Sequence, residues 1–217
     1  AADVVPRGDL LAAGASAFNM TYGGAASNFN TVFLAGTTNF NGAGATGALN
    51  TSAILADATF RANRPVQFIA TGALPAGIVL PTTTAPDVAL YNMGTLGGAG
   101  MVSLRSASGG LGTLVNTGTI APGNSIDTLT IDGNGYNTGT LAIELGASTC
   151  DLIQLTSGVP GSTATFTFAS GSTVAFTGTG TTTYTPGDTF NFMKADSSAK
   201  IDIDGPPVSS YQLLPTT

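Results

Sequence analysis

Apolar and small polar residues alternate along the second half of the chain, in Met101-Val-Ser-Leu104, Thr128-Leu-Thr-Ile131, Leu141-Ala-Ile-Glu-Leu145 and Leu152-Ile-Gln-Leu155. A period of two puts every second side chain on one face, so each stretch predicts a β-strand with one face buried. One phrase recurs among these strands: Asn92-Met-Gly-Thr-Leu96, Asn116-Thr-Gly-Thr-Ile120 and Asn137-Thr-Gly-Thr-Leu141, starting 24 and 21 residues apart. A unit of about 20–25 residues is too short to bury its own apolar face and relies on stacked neighbours, the mark of a solenoid. Asn and Gly tolerate positive φ, which predicts a corner at Asn-x-Gly, and the following Thr and Leu or Ile favour extended chain. The expected fold is all-β: a right-handed parallel β-helix over residues 88–205, about five or six rungs at the strand spacing of about 4.8 Å. An antiparallel β-sandwich is the alternative that short Thr-rich strands also suit.

The first 87 residues repeat poorly and read as a less regular β-rich part: a cap, a connector or further rungs. Ala58-Thr-Phe60, Val66-Gln-Phe-Ile69 and Ile78-Val-Leu80 are strand candidates. Asp9 to Ala17 reads as one or two helical turns, with Asp9 as N-cap and Gly14 as breaker. Phe18, Phe29, Phe33 and Phe40 sit among small residues and read as core plugs before ligand-stacking rings. Pro75, Pro81 and Pro86 mark Leu74 to Asp87 as a non-repetitive excursion or boundary. Beyond the repeats, Thr163–Phe168 and Thr173–Phe176 flank Ser170-Gly171-Ser172 as a hairpin or two rungs. Tyr184 to Met193 and Lys200 to Ile203 read as closing strands, and residues 206–217, opening on Pro206-Pro207, as a tail.

Composition narrows the function classes. Only 8% of the 217 residues are charged, against about 25% in an average soluble domain, and 42% are apolar, so this is no charge-driven disordered chain. The net charge is −6 with no run of Lys or Arg, which leaves nucleic-acid phosphates nothing to pair with. No apolar run approaches the roughly 18 residues that span a bilayer, so the chain as given is not read as membrane-spanning. Ala1 follows no basic or hydrophobic leader, as expected of a processed export or of a fragment of a longer precursor.

Histidine is absent, which removes Ser-His and Cys-His pairs and the commonest transition-metal ligand. Carboxylates remain: Asp127, Asp132, Glu144, Asp151, Asp188, Asp196, Asp202 and Asp204, most beside turn residues, where Asp belongs. A carbohydrate-active β-helix would cluster such acids on one face, with Asp127, Asp132 and Asp151 the residues to test. Asp132-Gly-Asn-Gly135 and Asp202-Ile-Asp-Gly205 echo calcium loops without their ligand spacing. Arg7, Arg61, Arg64 and Arg105 suit salt-bridged corners better than an anion site. Cys150 has no disulfide partner and reads as a small buried or turn residue. Asn19-Met-Thr21 and Asn50-Thr-Ser52 match the glycosylation triplet in a chain rich in Asn and Thr. No catalytic, cofactor-binding or metal-binding residue is therefore assigned.

Leu114-Val-Asn-Thr-Gly-Thr-Ile-Ala-Pro-Gly-Asn-Ser-Ile-Asp-Thr-Leu-Thr-Ile-Asp-Gly133 resembles the segment near the C-terminal end of bacterial autotransporter passenger domains. That family reads approximately G-T-[IV]-x-P-G-N-S-[IP]-G-T-L-T-[IV]-x-G, then a Tyr, a Gly-Thr-Leu strand and an Asp-containing turn. Tyr136, Gly139-Thr-Leu-Ala-Ile-Glu-Leu145 and Cys150-Asp-Leu-Ile-Gln154 keep the order, with Asp127 where the family usually has Gly. The resemblance covers about residues 88–205 and implies an exported, extracellular β-helix at the bacterial cell surface. The expectation is a structural or adhesive protein that is not an enzyme, whose partners are host or cell-surface ligands. The alternatives are a self-assembling extracellular filament subunit, whose partner is itself, and a carbohydrate-active β-helix enzyme. A filament would follow from the uncharged edges of Thr163–Phe168 and Thr173–Phe176.

Overall fold

In the computed structural model the described residues are 87–203 except 124, 181 and 182, and 52–70 except 55, 57 and 64, with the backbone of six strands before them. Three strands make each coil. The first three coils are β1 (Asp9–Ala12), β2 (Phe18–Met20) and β3 (Asn28–Phe29); β4 (Thr31–Leu34), β5 (Thr37–Phe40) and β6 (Gly47–Asn50); then β7 (Ser52–Ile54), β8 (Thr59–Ala62) and β9 (Val66–Ile69). The fourth holds β10 (Val88–Asn92), β11 (Thr95–Gly98) and β12 (Met101–Arg105), and the fifth β13 (Thr113–Asn116), β14 (Thr119–Pro122) and β15 (Thr128–Asp132). The sixth holds β16 (Asn134–Asn137), β17 (Thr140–Leu145) and β18 (Leu152–Thr156), and the seventh β19 (Ala164–Phe168), β20 (Thr173–Gly178) and β21 (Met193–Ala195). β22 (Ala199–Ile203) opens an eighth.

The first strands of the coils form an eight-stranded sheet A, the second strands a seven-stranded sheet B and the third strands a seven-stranded sheet C. All strand-to-strand pairings are parallel among the described residues, so the fold is a parallel β-helix and not an antiparallel sandwich. The same sheets run through both sides of residue 87: β10, β11 and β12 pair with β7, β8 and β9. Seven coils at about 4.8 Å rise about 34 Å.

Inside, the buried residues of each coil stack on their register partners in the next. Phe60, Leu96, Ile120 and Leu141 form one such column in sheet B, and Val66, Val102, Ile131 and Leu155 another in sheet C, all buried. In sheet A, Leu90, Leu114, Gly135 and Phe166 share a column. A Cβ on Gly135 would overlap the Phe166 ring, so the missing side chain of one coil is the space that the next coil's aromatic fills. A second apolar cluster, Ala53, Val88, Tyr91 and Val115, is buried on the opposite side of sheet A.

The recurrent phrase stacks as expected: Asn92, Asn116 and Asn137 are register partners, as are Thr95, Thr119 and Thr140. The reason for the glycine differs from the expected one. Among the described residues no non-glycine residue has positive φ, and the positive-φ glycines do not include Gly94, Gly118 or Gly139. A Cβ on Gly118 would instead overlap the Gly94 carbonyl oxygen, so close approach of coil to coil demands the glycine.

Several expectations change. Asp9–Ala12 is strand β1, paired with Thr31–Leu34, and not helical, because parallel pairing over four residues overrides the weak local preference of a Leu-Leu-Ala run. Residues 164–168 and 173–178 are neither a hairpin nor two rungs: β19 lies in sheet A and β20 in sheet B, two sides of one coil. β19 pairs with β16 and β22 and is no edge, whereas β20 ends sheet B. The described residues from 88 onward hold four complete coils and one further strand, where five or six rungs were expected. Successive coils open at Val88, Thr113, Asn134, Ala164 and Ala199, steps of 25, 21, 30 and 35 residues, so longer connections consume the chain. The Pro-rich stretch 74–86 and residues 204–217 lie outside the described residues.

Candidate functional site

At the corner from sheet A to sheet B, the three stacked asparagines are fully buried. Asn92 Nδ2 donates to Asn116 Oδ1 at 2.6 Å, and Asn116 Nδ2 donates to Asn137 Oδ1 at 2.6 Å. Main-chain bonds repeat beside them: Thr117 N and Gly118 N donate to Asn92 O, and Thr138 N and Gly139 N to Asn116 O. The ladder stops where the register partner is apolar, Ile54 at one end and Phe168 at the other. Asn92 Oδ1, facing the end without a further amide, has no hydrogen-bond partner. The phrase that dominates the sequence thus builds scaffold.

The acidic residues divide between corners. Asp151, buried where chain passes from sheet B to sheet C, receives Asp127 N at 3.1 Å on Oδ1 and Glu144 N at 2.9 Å on Oδ2. Burial pushes its pKa up, the nearby charges of Glu144 and Asp127 add to that, and the two backbone N–H groups oppose it. Cys150 beside it packs partly buried against the core, and burial first, then the Asp151 charge, raises its thiol. Asp132 stands at the other end of β15, about 16 Å of extended chain from Asp127. There it pairs with Arg105 Nη2 at 2.5 Å and accepts from Ser103 Oγ at 3.0 Å and Gly158 N at 2.7 Å. Paired glycosidase carboxyls stand about 5–9.5 Å apart, so Asp132 cannot partner Asp127 across one bond. Its oxygens are also occupied by Arg105, Ser103 and Gly158, which leaves the Asp132-Gly-Asn-Gly135 loop a cationic partner already in place. Arg105 is the salt-bridged corner that the sequence suggested; Arg7 and Arg64 lie outside the described residues. Asp196 is a turn residue, its pKa lowered by side-chain hydrogen bonds from Ser198 and Thr156 and by the Ser198 backbone N–H. Asp202 is exposed in β22, and Asp204 lies outside the described residues.

Among the described residues a cleft of about 300 Å³ lies at the C-terminal end of the solenoid. Leu145 floors it, and Phe176, Tyr184, Phe190 and Phe192, all half-buried, form its walls. Phe176 meets Phe192 edge to face with centroids 5.5 Å apart, and Tyr184 meets Phe190 likewise at 5.8 Å. Tyr184 Oη donates to Leu145 O at 2.7 Å, which ties the wall to the preceding coil. At the mouth, Asp188 Oδ2 receives Thr185 N at 2.7 Å and Asp188 Oδ1 receives Thr185 Oγ1 at 3.1 Å. The expected closing strand over residues 184–193 is therefore mostly a loop, with β21 beginning only at Met193. Thr185-Pro186-Gly187-Asp188 carried the signal: Pro followed by Gly suits a type II turn, and Gly187 has φ 107°.

Outside sheet B runs a plain column. Thr59, Thr95, Thr119, Thr140 and Thr173 are successive register partners, and Gly97, Ala121, Ala142 and Ala175 run beside them. Compared with protein-family models, with curated proteins and with solved structures, the chain matches none.

Proposed function

We propose that the chain is an exported structural or adhesive β-helix of the bacterial cell surface, a scaffold that presents its faces and does not catalyse. The observation that carries this reading is that the buried asparagines of the repeated phrase bond coil to coil while its threonines stay in register. What it leaves outside is an uninterrupted threonine column along sheet B. The acids support the same reading, since Asp151 holds the backbone N–H of Asp127 in the coil before it and Asp132 that of Gly158 in the coil after it. The resemblance of residues 114–133 to autotransporter passenger segments adds export to the surface.

The test places an epitope tag in the exposed turn at Ser170-Gly171 of the full gene product in its own bacterium. Antibody reaching the tag on intact cells, and cells that lose adhesion when the gene is deleted, is the expected result. A tag reached only after permeabilisation would overturn surface display. Polysaccharide cleavage by the purified chain, lost on changing Asp127, Asp132 or Asp151 to Asn, would replace the scaffold with an enzyme.

One observation favours a second reading, the filament subunit. Ile201 and Ile203, on the last strand of sheet A, are 41% and 52% exposed in the columns that continue Phe166 and Phe168. Continuing those columns into the β1 of a second copy would set Asp9 over Lys200 and Leu10 over Ile201. Sheets B and C end one strand lower, so such a joint must also bridge that step. Ile203→Glu abolishes concentration-dependent growth in mass if the ends join in this way.

A further inference from the structure

We propose that the aromatic cleft at the C-terminal end of the solenoid binds an organic ammonium cation, a quaternary or methylated nitrogen on a short stem. The inference goes beyond surface display and stands whether or not the chain is displayed. Four half-buried rings converge on about 300 Å³, within the range of small-molecule sites. Both ring pairs are edge to face, at interplanar angles of 80° and 81°. In that arrangement the ring presenting its edge keeps both of its own π faces clear of its partner, and a π face carries the negative end of the ring quadrupole. A cation near such faces is attracted, more strongly as water is excluded.

The single charged residue of the lining, Asp188, decides among ligand classes. Among the described residues no Lys or Arg lines the cleft, so an anion would meet a carboxylate and no counter-charge. A sugar needs several directional hydrogen-bonding groups, but of the polar side chains here Thr185 and Asp188 are bonded to each other and the Tyr184 hydroxyl donates to Leu145 O. A wholly apolar ligand would displace water from the exposed carboxylate and leave its charge only the two Thr185 hydrogen bonds, at a cost. An ammonium group shielded by methyls needs no directional bond and gains from both the rings and the carboxylate. The net charge of −6 draws cations toward the whole molecule.

The experiment titrates the full chain with choline and, in parallel, with 3,3-dimethyl-1-butanol, the uncharged isostere of the same shape, at matched ionic strength. Ring-proton chemical shifts and calorimetry are read. Choline is expected to shift the cleft rings with a dissociation constant on the order of millimolar, and the isostere to bind at least about tenfold more weakly. Asp188→Asn lowers choline affinity about tenfold and leaves the isostere unchanged. If that variant loses its turn, Phe190→Leu decides: apolar volume is retained, a π face is lost, and only choline binding falls. No ring shift with choline, equal binding of the isostere, or choline affinity untouched by both substitutions would each overturn the proposal.

Discussion

At the scale of single residues the asparagine ladder shows how position within a stack sets the cost of a substitution. Asn116 both accepts from Asn92 and donates to Asn137, whereas Asn92 makes one inter-asparagine bond and buries an unpartnered Oδ1. Each buried group left unsatisfied costs about 1–3 kcal/mol. Asn116→Ala is therefore expected to destabilise by about 2–4 kcal/mol and Asn92→Ala by about 1–2 kcal/mol, measured by urea unfolding. Equal losses would mean that the amides act independently. Asp151 gives a pH prediction. Its folded pKa lies above the ordinary 3.8, chiefly through burial, so as pH rises past that value the unfolded chain ionises first. Its contribution thus favours folding most at low pH and is lost as pH climbs through the folded value. Asp196, with a lowered pKa, acts oppositely: its contribution is present above the ordinary value and lost as pH falls through its folded one. In a carboxyl carbon NMR titration Asp196 should change before Asp151 as pH is raised. The phrase Asn-x-Gly-Thr made the ladder's positions legible in the sequence. The glycine's true constraint was not, because a carbonyl of the neighbouring coil is absent from any local window.

At the scale of elements, neighbouring coils compensate one another in volume. β16 carries Gly135 in a column whose other members are Leu90, Leu114 and Phe166, and the Phe166 ring of β19 occupies the space beside it. Gly135→Ala overpacks that site and should cost about 1–3 kcal/mol. Adding Phe166→Leu to it should cost less than the two single changes together, a non-additivity that thermal unfolding of the four proteins measures. Strict additivity would show that the contact does not limit packing. The period-two pattern placed β12, β15, β17 and β18, whereas assignment of a strand to a face needed the connections. β19 and β20 read as a pair because only four residues separate them, yet that short link is a corner and not a hairpin turn. Ser172 Oγ shows why: it donates to Asn137 O and Ala169 O, tying the link down onto the coil before it.

At the scale of the whole molecule, stability is a sum over coils and their interfaces, so the middle and the end should open separately. β13 to β18 have a paired strand on each side and columns of fully buried Leu and Ile. Among the described residues β20, β21 and β22 each have one neighbour, and Ile201 and Ile203 stand exposed. Native-state hydrogen exchange is expected to show the greatest protection in β13–β18 and the least in β20–β22. Uniform protection across both groups would instead mark one cooperative unit. The cleft lies at this less supported end, where four rings gather above Leu145 with no eighth strand of sheet B among the described residues to cover them.

Alternation of apolar and polar positions, the spacing of Asn92, Asn116 and Asn137, and the scarcity of charge determined by themselves that the chain forms stacked parallel strands with asparagines in register. These are properties of a repeat, and a repeat states its own neighbour. Tertiary structure alone decided the rest: the pairing of Arg105 with Asp132 and the separation of Asp127 from Asp132 along opposite ends of one strand. It also decided the gathering of Phe176, Tyr184, Phe190 and Phe192 around one cleft. Those contacts join residues whose spacing depends on connections of unequal length, and the closure of a coil fixes them where no period in the sequence can.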